Sequence, residues 1–98
     1  MPTIGKMQEL VSILEKEKGF SRELRNKLIR LQEEVAEVMA EHKEDVDTNK
    51  LAEELIDCIF FICSALSILK VDGDKLFMDK WKYNMTRVKG EGLDTFKR

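Results

Sequence analysis

The chain has few of the residues that loop-rich or disulfide-stabilised proteins need. Its 98 residues include one proline, five glycines, two cysteines and one histidine. Together with 43% hydrophobic and 37% charged residues, this composition is typical of a helical protein and argues against a disordered or an all-β chain. A chain of this length can form one hydrophobic core, so we expect a single domain over residues 1–98.

An excess of positive charge is also missing. The net charge is −2 and the pI is near 5.5. We therefore expect no general electrostatic attraction of the chain to nucleic acid or to an anionic membrane. Any phosphate binding would need a local cationic group. Cys58 and Cys63 lie five residues apart on one expected helix, where their side chains point in different directions, which excludes a disulfide between them. We interpret both as core residues in a reducing cytosol.

No hydrophobic run is long enough to cross a bilayer, since the longest apolar stretch ends at Leu69 and begins only after Asp57. The N-terminal segment MPTIGKMQEL lacks the basic residues and apolar stretch of a signal peptide. We therefore expect a cytoplasmic protein without a membrane partner.

Apolar residues recur at helical spacing and predict four helices. The first includes residues 7–14 and ends at Gly19, a suitable C-terminal cap. The second begins with Ser21 as its N-cap and continues to the KEDVD segment. Both are amphipathic.

The third helix is predicted to run to about Lys70 and the fourth to span Lys75–Val88. Their candidate N-caps are Asp47 or Thr48 and Asp72 or Asp74. The remaining residues 89–98 contain two glycines, so we expect a loose tail or a segment that a partner or ligand orders.

The third helix has a polar stripe only in its first half, formed by Lys50, Glu53, Glu54 and Asp57. Beyond that stripe it is apolar nearly all round, and three companion helices in one short chain would not cover it. This pattern predicts a homodimer whose interface includes the third helix.

Two pairs of acidic residues are candidate metal ligands. Glu34 and Glu37 share a face of the second helix, and Glu54 and Asp57 share a face of the third. Residues at this spacing have Cβ atoms about 5–6 Å apart, and a short loop would bring the pairs together in an antiparallel hairpin. Carboxylate oxygens favour Mg²⁺ or Mn²⁺. Asp57 also borders the apolar run, where a buried carboxylate needs a cation, a proton or a charged partner.

The only histidine, His42, lies outside any Glu-x-x-His motif, so a ferritin-like di-iron site is not expected. On the fourth helix, Lys80, Asn84 and Arg87 fall on one face. An amine, an amide and a guanidinium there could hold the oxygens of a polyphosphate. Each motif also has a simpler interpretation, since spaced glutamates often form a solvated face and cations near a helix C-terminus complement its dipole.

In this order and spacing, the motifs resemble the MazG-like family of all-α nucleoside triphosphate pyrophosphohydrolases. The family pattern is E-x-x-E, E-x-x-D and K-x-x-x-N-x-x-R, and the match covers roughly residues 20–88. The matching residues are Glu34 and Glu37, Glu54 and Asp57, and Lys80, Asn84 and Arg87.

The resemblance implies a four-helix core that assembles as a dimer or a dimer of dimers. It also implies Mg²⁺-dependent hydrolysis of (d)NTPs to the monophosphate and pyrophosphate, which would remove surplus or non-standard nucleotides. The four acids would be metal ligands, with Glu34 or Glu37 also acting on the water, and the residues of the third motif would hold phosphates.

Two alternatives remain open from the sequence. Phosphoribosyl-ATP pyrophosphohydrolases have similar helices and acids, although the K-x-x-x-N-x-x-R ending favours the MazG-like side. The chain could also be a non-catalytic helical interaction module, in which Asp57 is paired with a lysine or arginine across the bundle.

Overall fold

The computed structural model describes residues 2–43 and 46–87. This part of the chain contains α-helices and no strand, which confirms the all-α prediction. The helices are α1 (Ile4–Lys18), α2 (Leu24–Glu41), α3 (Thr48–Ile68) and α4 (Gly73–Thr86). The predicted tail, residues 89–98, lies outside the described residues, as does Val88.

The centre of the fold is the antiparallel hairpin of α2 and α3. Near the connecting loop, Lys50 Nζ lies 3.6 Å from Glu41 Oε2. Further from the loop, Glu34 and Asp57 bring carboxylate oxygens together. The two helices therefore run antiparallel in one register, in which a residue seven positions earlier in α2 faces a residue seven positions later in α3. Helix α1 packs against α3, and α4 packs against α1.

Helix α1 begins and ends at residues that satisfy its terminal backbone groups. Thr3 is the N-cap, and its hydroxyl accepts a 3.0 Å hydrogen bond from the Lys6 N–H. Gly19 ends the helix in the left-handed conformation, with φ of 67°, and its N–H bonds to the Glu15 carbonyl. The predicted end at Gly19 is confirmed, because glycine adopts this conformation without steric penalty.

The prediction of Ser21 as N-cap of α2 is wrong. Glu23 occupies that position and makes no side-chain capping bond. The Ser21 hydroxyl instead accepts hydrogen bonds from the Glu23 N–H, at 3.2 Å, and from the Asn26 side-chain amide, at 3.0 Å. Serine bonds readily to the backbone two residues onward, and here this forms a turn ahead of the helix.

Helix α3 starts as predicted, with Asp47 accepting from the Asn49 and Lys50 N–H groups at 3.0 and 3.2 Å. Helix α4 starts at Gly73 rather than at Lys75. Its N-cap is Asp72, one of the two residues predicted for that role, because the Asp72 carboxylate accepts from the Lys75 N–H at 3.1 Å.

Asp74, the other candidate cap of α4, has a different role. Its carboxylate accepts from the N–H groups of Ile4, at 2.9 Å, and Gly5, at 3.2 Å. Asp74 therefore compensates the free donors at the start of α1 although it belongs to α4. The spacing along the chain cannot predict this long-range bond.

The core is small. Among the described residues, the buried apolar side chains are Val11, Cys58, Cys63 and Ala65. Both cysteines are free and buried, as expected. Burial raises the pKa of both thiols, and the charges of Glu34 and Asp57 raise that of Cys58 further. Both cysteines are therefore poor nucleophiles at neutral pH.

Much of the apolar surface remains exposed in the single chain. On α3, Leu55, Ile62 and Leu69 follow one another at seven-residue spacing and are each at least 43% exposed. On α4, Phe77 and Trp81 are also about half exposed. No helix of the described ranges is long and apolar enough to cross a membrane.

Candidate metal centre and adjoining pocket

The hairpin brings the predicted acidic residues together. Carboxylate oxygens of Glu34, Glu54 and Asp57 lie within 4.8 Å of one another. Glu37 lies beside them, close enough for its carboxyl to interact directly with those of Glu34 and Glu54. The antiparallel register explains the cluster, since Glu34 opposes Asp57 and Glu37 opposes Glu54 across the hairpin.

The cluster has more negative charge than its surroundings compensate. Burial, followed by the neighbouring carboxyls of Glu37 and Asp57, raises the pKa of Glu34, and Arg30 only partly opposes this. The pKa of Glu54 is raised by burial first and then by the same two acids, with Lys50 opposing. Two of the four carboxyls are therefore harder to ionise than usual, which a divalent cation would reverse.

Glu34 is the buried member of the cluster, with 6% of its surface exposed. One oxygen, Oε1, accepts a 3.1 Å bond from Arg30 Nη2, while Oε2 is buried and has no hydrogen-bond partner among the described residues. Asp57 is exposed, so the expectation that it lies against the core is wrong.

The donor set fits a hard divalent cation. It consists of carboxylate oxygens, which Mg²⁺ and Mn²⁺ prefer. One of these oxygens, Glu34 Oε2, is buried without a hydrogen-bond partner in the described part of the chain. A buried acceptor of that kind is costly unless a proton or cation satisfies it.

Two basic residues flank the acids and were not predicted from the sequence. Arg30 bonds to both Glu33, at 3.0 Å, and Glu34, and its guanidinium lies 5.2 Å from the ring centre of Phe61. Lys50 is paired with Glu41. The signal for Arg30 was present, because it lies one helical turn before Glu34 on the same face.

Two of the three predicted basic-face residues, Lys80 and Asn84, lie on α4, whereas Arg87 is the C-cap of that helix in an extended conformation. Arg87 donates a 3.2 Å hydrogen bond to the Asn84 side-chain oxygen, and its guanidinium lies 4.5 Å from the ring centre of Tyr83. Lys80 lies 5.5 Å from the same ring. These contacts are all within α4 and its C-cap, and none of them reaches the acids in the described residues. A single chain therefore forms the acidic cluster and the basic face as separate groups.

A cavity of about 370 Å³ opens beside the acids, between α1, α2 and α3. Glu34 and Asp57 form part of its wall, and the aromatic rings of Phe20, Phe60 and Phe61 form another part. Its volume lies within the range of small-molecule pockets, about 300–1,000 Å³.

A second polar cluster, also missed from the sequence, lies on the wall of this cavity. Lys27 Nζ lies 2.6 Å from Glu15 Oε2, and both side chains are at least 94% buried. The Ser64 hydroxyl donates a 2.5 Å hydrogen bond to the same oxygen. The available signal was the position of Glu15, four residues after Val11, which places a carboxylate on the buried face of α1.

Comparison of the chain with protein families, with curated proteins and with solved structures finds no match. The resemblance to MazG-like enzymes therefore remains a prediction from its three motifs.

Proposed function

We propose that the protein is a Mg²⁺-dependent nucleoside triphosphate pyrophosphohydrolase that cleaves (d)NTPs to the monophosphate and pyrophosphate. The observation that carries this proposal is the meeting of Glu34, Glu54 and Asp57 within 4.8 Å, with Glu37 beside them. Their buried or crowded carboxyls favour a cation, and the adjoining cavity offers space for a nucleotide. The three motifs of the resemblance supply the reaction class.

Glu34, Glu37, Glu54 and Asp57 would hold Mg²⁺, with Mn²⁺ as a second candidate. When bound, such an ion neutralises charge on the phosphates and makes a water molecule more acidic. The excess of acids over the one or two that Mg²⁺ usually takes would either hold a second ion or leave a carboxylate available as a base.

Glu34 and Glu37 are the proposed proton acceptors. One of them, placed beside the ion, would accept the proton that the attacking water loses. The water oxygen attacks the α-phosphorus. The bond between the α-phosphorus and the oxygen that bridges it to the β-phosphorus then breaks. The products are then the nucleoside monophosphate and pyrophosphate.

Lys80, Asn84 and Arg87 would hold phosphate oxygens. Because α4 packs against α1, this role requires α4 to approach the hairpin, on substrate binding or in the proposed homodimer. Arg87→Ala should then raise KM for a nucleoside triphosphate more than it lowers kcat. An unchanged KM would remove Arg87 from the substrate site.

The first experiment is a nucleotide panel. The pure protein is incubated with canonical and non-standard dNTPs and NTPs in Mg²⁺, and the products are separated by ion-exchange chromatography. Monophosphate and pyrophosphate are expected in equal amounts. Turnover of no nucleotide, or release of orthophosphate alone, would refute the proposal.

Asp57→Asn provides the matched test of the cluster. This exposed residue can change without disturbing the core, so activity should fall by orders of magnitude while the circular dichroism spectrum is unchanged. Tm in EDTA should equal or exceed that of the wild type, because one charge of the crowded cluster is removed. The control is Glu33→Gln, which removes a neighbouring carboxylate that pairs with Arg30 on the exposed side of α2. That variant should keep its activity.

The non-catalytic interaction module remains the second candidate, since the exposed apolar residues of α3 also suit a protein partner. Thermal melting separates the two. Mg²⁺ that binds the folded protein at a hundred times its Kd adds about 2.7 kcal/mol of stability, whereas an interaction module without a metal site should melt at the same temperature in Mg²⁺ and in EDTA. Including phosphoribosyl-ATP in the nucleotide panel tests the remaining alternative.

A further inference from the structure

The packing of the helices does not by itself explain the buried polar cluster of Glu15, Lys27 and Ser64. A buried ion pair contributes little net stability relative to apolar residues of the same size, because both charges lose their hydration. Here Lys27 and Ser64 both bond to Glu15 Oε2. The other oxygen, Oε1, is buried and has no hydrogen-bond partner among the described residues. Glu15 therefore has an acceptor without a partner, on a side chain that lines the cavity.

The position of this acceptor relative to the acidic cluster is set by the helices. Lys27 lies seven residues before Glu34 on α2, and Ser64 lies seven residues after Asp57 on α3. Seven residues are two helical turns and correspond to about 10.5 Å along the axis. The polar cluster and the acids therefore line the same cavity about two turns apart, which is comparable with the span of a nucleoside from the far edge of its base to its first phosphate.

The wall between the two groups is apolar and aromatic. Phe60 and Phe61 contribute from α3 and Phe20 from the segment between α1 and α2. A cation beside each of the two groups lies near the ring of Phe61. Lys27 Nζ is 5.9 Å and the Arg30 guanidinium 5.2 Å from the ring centre. Such a wall accommodates a flat heterocycle, because aromatic rings stack on each other in offset or edge-to-face arrangements.

We infer that this cavity binds the base of the nucleotide, and that the buried Glu15 carboxylate turns toward the cavity so that Oε1 accepts a hydrogen bond from an N–H group of that base. Lys27 Nζ has protons beyond the one that it directs at Glu15 and donates to a ring nitrogen or carbonyl beside that N–H. The ligand class is thus a planar heterocycle with a donor next to an acceptor. This inference rests on the proposed function for the identity of the ligand, but its chemistry does not involve the metal.

The test uses 2′-deoxynucleosides, which lack phosphates, in EDTA. Titration of ¹⁵N-labelled protein with deoxycytidine, deoxyadenosine, deoxyguanosine and thymidine should shift the amide signals around Phe61 and Ser64 for at least one of them. If no nucleoside shifts these signals at millimolar concentration, the inference is wrong. Because neither Mg²⁺ nor a triphosphate is present, this failure is distinct from a failure of nucleotide hydrolysis.

Two variants then separate recognition from structure. Glu15→Gln alone leaves Lys27 buried without its counter-charge and is expected to lose stability. The double variant Glu15→Gln and Lys27→Met replaces the pair by neutral groups of similar size, so it should fold. It should bind the responsive nucleoside at least tenfold more weakly than the wild type. Binding equal to the wild type would show that the pair is only structural.

The hydrolysis assay gives a second readout. A group that contacts only the base, about two turns from the acids, should affect substrate binding more than the chemical step. The double variant should therefore raise KM at least tenfold with a much smaller effect on kcat, whereas Glu33→Gln should change neither. A loss confined to kcat would contradict the assignment.

Discussion

Glu34 lies where the buried face of α2 meets the acidic cluster, and this position determines its properties. The residue lines the cavity, one carboxylate oxygen is paired with Arg30, and the other has no hydrogen-bond partner in the described chain. Burial and nearby carboxyls therefore raise its pKa. Glu54, on the facing helix, has a pKa raised for the same reasons.

These shifts predict how the stability of the metal-free protein depends on pH. The ordinary pKa of the Glu34 carboxyl is 4.5, and its pKa in the folded protein is higher. At a pH between the two, the folded protein therefore holds the proton more often than the unfolded chain does. Its stabilising contribution is complete below about pH 4.5 and is lost as the pH rises through the folded-state pKa. In EDTA, the free energy of unfolding should therefore fall between pH 4.5 and neutrality more steeply in the wild type than in Glu34→Gln.

Urea denaturation at several pH values measures this difference. Comparing the two proteins cancels the contributions of groups that they share, such as Asp79, whose pKa is lowered by Lys75. Parallel curves for wild type and variant would contradict the assignment of the shift to Glu34. Saturating Mg²⁺ should remove most of the pH dependence of the wild type in this range.

The buried pair of Glu15 and Lys27 gives a second prediction at the level of single residues. Glu15→Ala leaves an unpaired ammonium in the core and should lower the free energy of unfolding by about 3–5 kcal/mol. The double variant Glu15→Gln and Lys27→Met should recover most of that loss. Chemical denaturation of the three proteins tests this, and a double variant no more stable than Glu15→Ala would contradict it.

Among the helices, α4 is attached mainly through polar contacts at its first turn. The side chain of Gln8 on α1 donates to the Val71 carbonyl at 3.0 Å and accepts from the Gly73 N–H at 3.2 Å. Asp74 bonds back to the start of α1. Gly73 is buried between these contacts. The orientation of α4, and with it that of the basic face, therefore depends on the close approach of Gly73 to α1.

Gly73→Ala should loosen this attachment. A Cβ atom at this position would lie 2.7 Å from Gln8 Oε1 and would collide with the Ile4 side chain. We expect a loss of about 1–3 kcal/mol, the usual cost of overpacking, and increased hydrogen exchange in α4. Lys75→Ala, on the exposed side of the same helix, serves as the control and should have little effect. Equal stability of wild type and Gly73→Ala would show that α4 can shift freely on α1.

Considered as a whole, the molecule leaves a strip of apolar residues on α3 in contact with solvent. Leu55, Ile62 and Leu69 have exposed fractions of 49%, 43% and 55%. Contiguous apolar surface of this kind is characteristic of protein interfaces. The homodimer expected from the sequence stays a prediction, and the strip is where we expect its interface.

Sedimentation equilibrium at micromolar concentration should give about twice the chain mass of 11.4 kDa. Ile62→Glu places a charge in the strip and should produce a folded monomer, because burial of an unpaired carboxylate in the interface is unfavourable. Gln32→Glu makes the same change in net charge on the exposed side of α2 and should remain dimeric. A wild-type monomer, or a dimer unaffected by Ile62→Glu, would refute this interface.

The sequence was sufficient for the features that depend on local spacing. Helix type, the end of α1 at Gly19 and the cap at Asp47 follow from periodicity and backbone chemistry within a few residues. The pairing of Glu34 and Glu37 with Glu54 and Asp57 also follows, because two amphipathic helices joined by a short loop pack antiparallel. The true start of α2 was missed because the Ser21 hydroxyl had a competing partner nearby.

Amino-acid order by itself thus determined the all-α class and the four acids that can meet, since both depend on contacts within or between adjacent helices. Only the tertiary structure decided that Glu34 rather than Asp57 is buried, that Asp74 bonds to the start of α1, and that Glu15 and Lys27 pair beside a cavity. The last two depend on how α1 packs against segments distant in the chain. Burial and long-range hydrogen bonds are properties of that packing, and no local pattern specifies them.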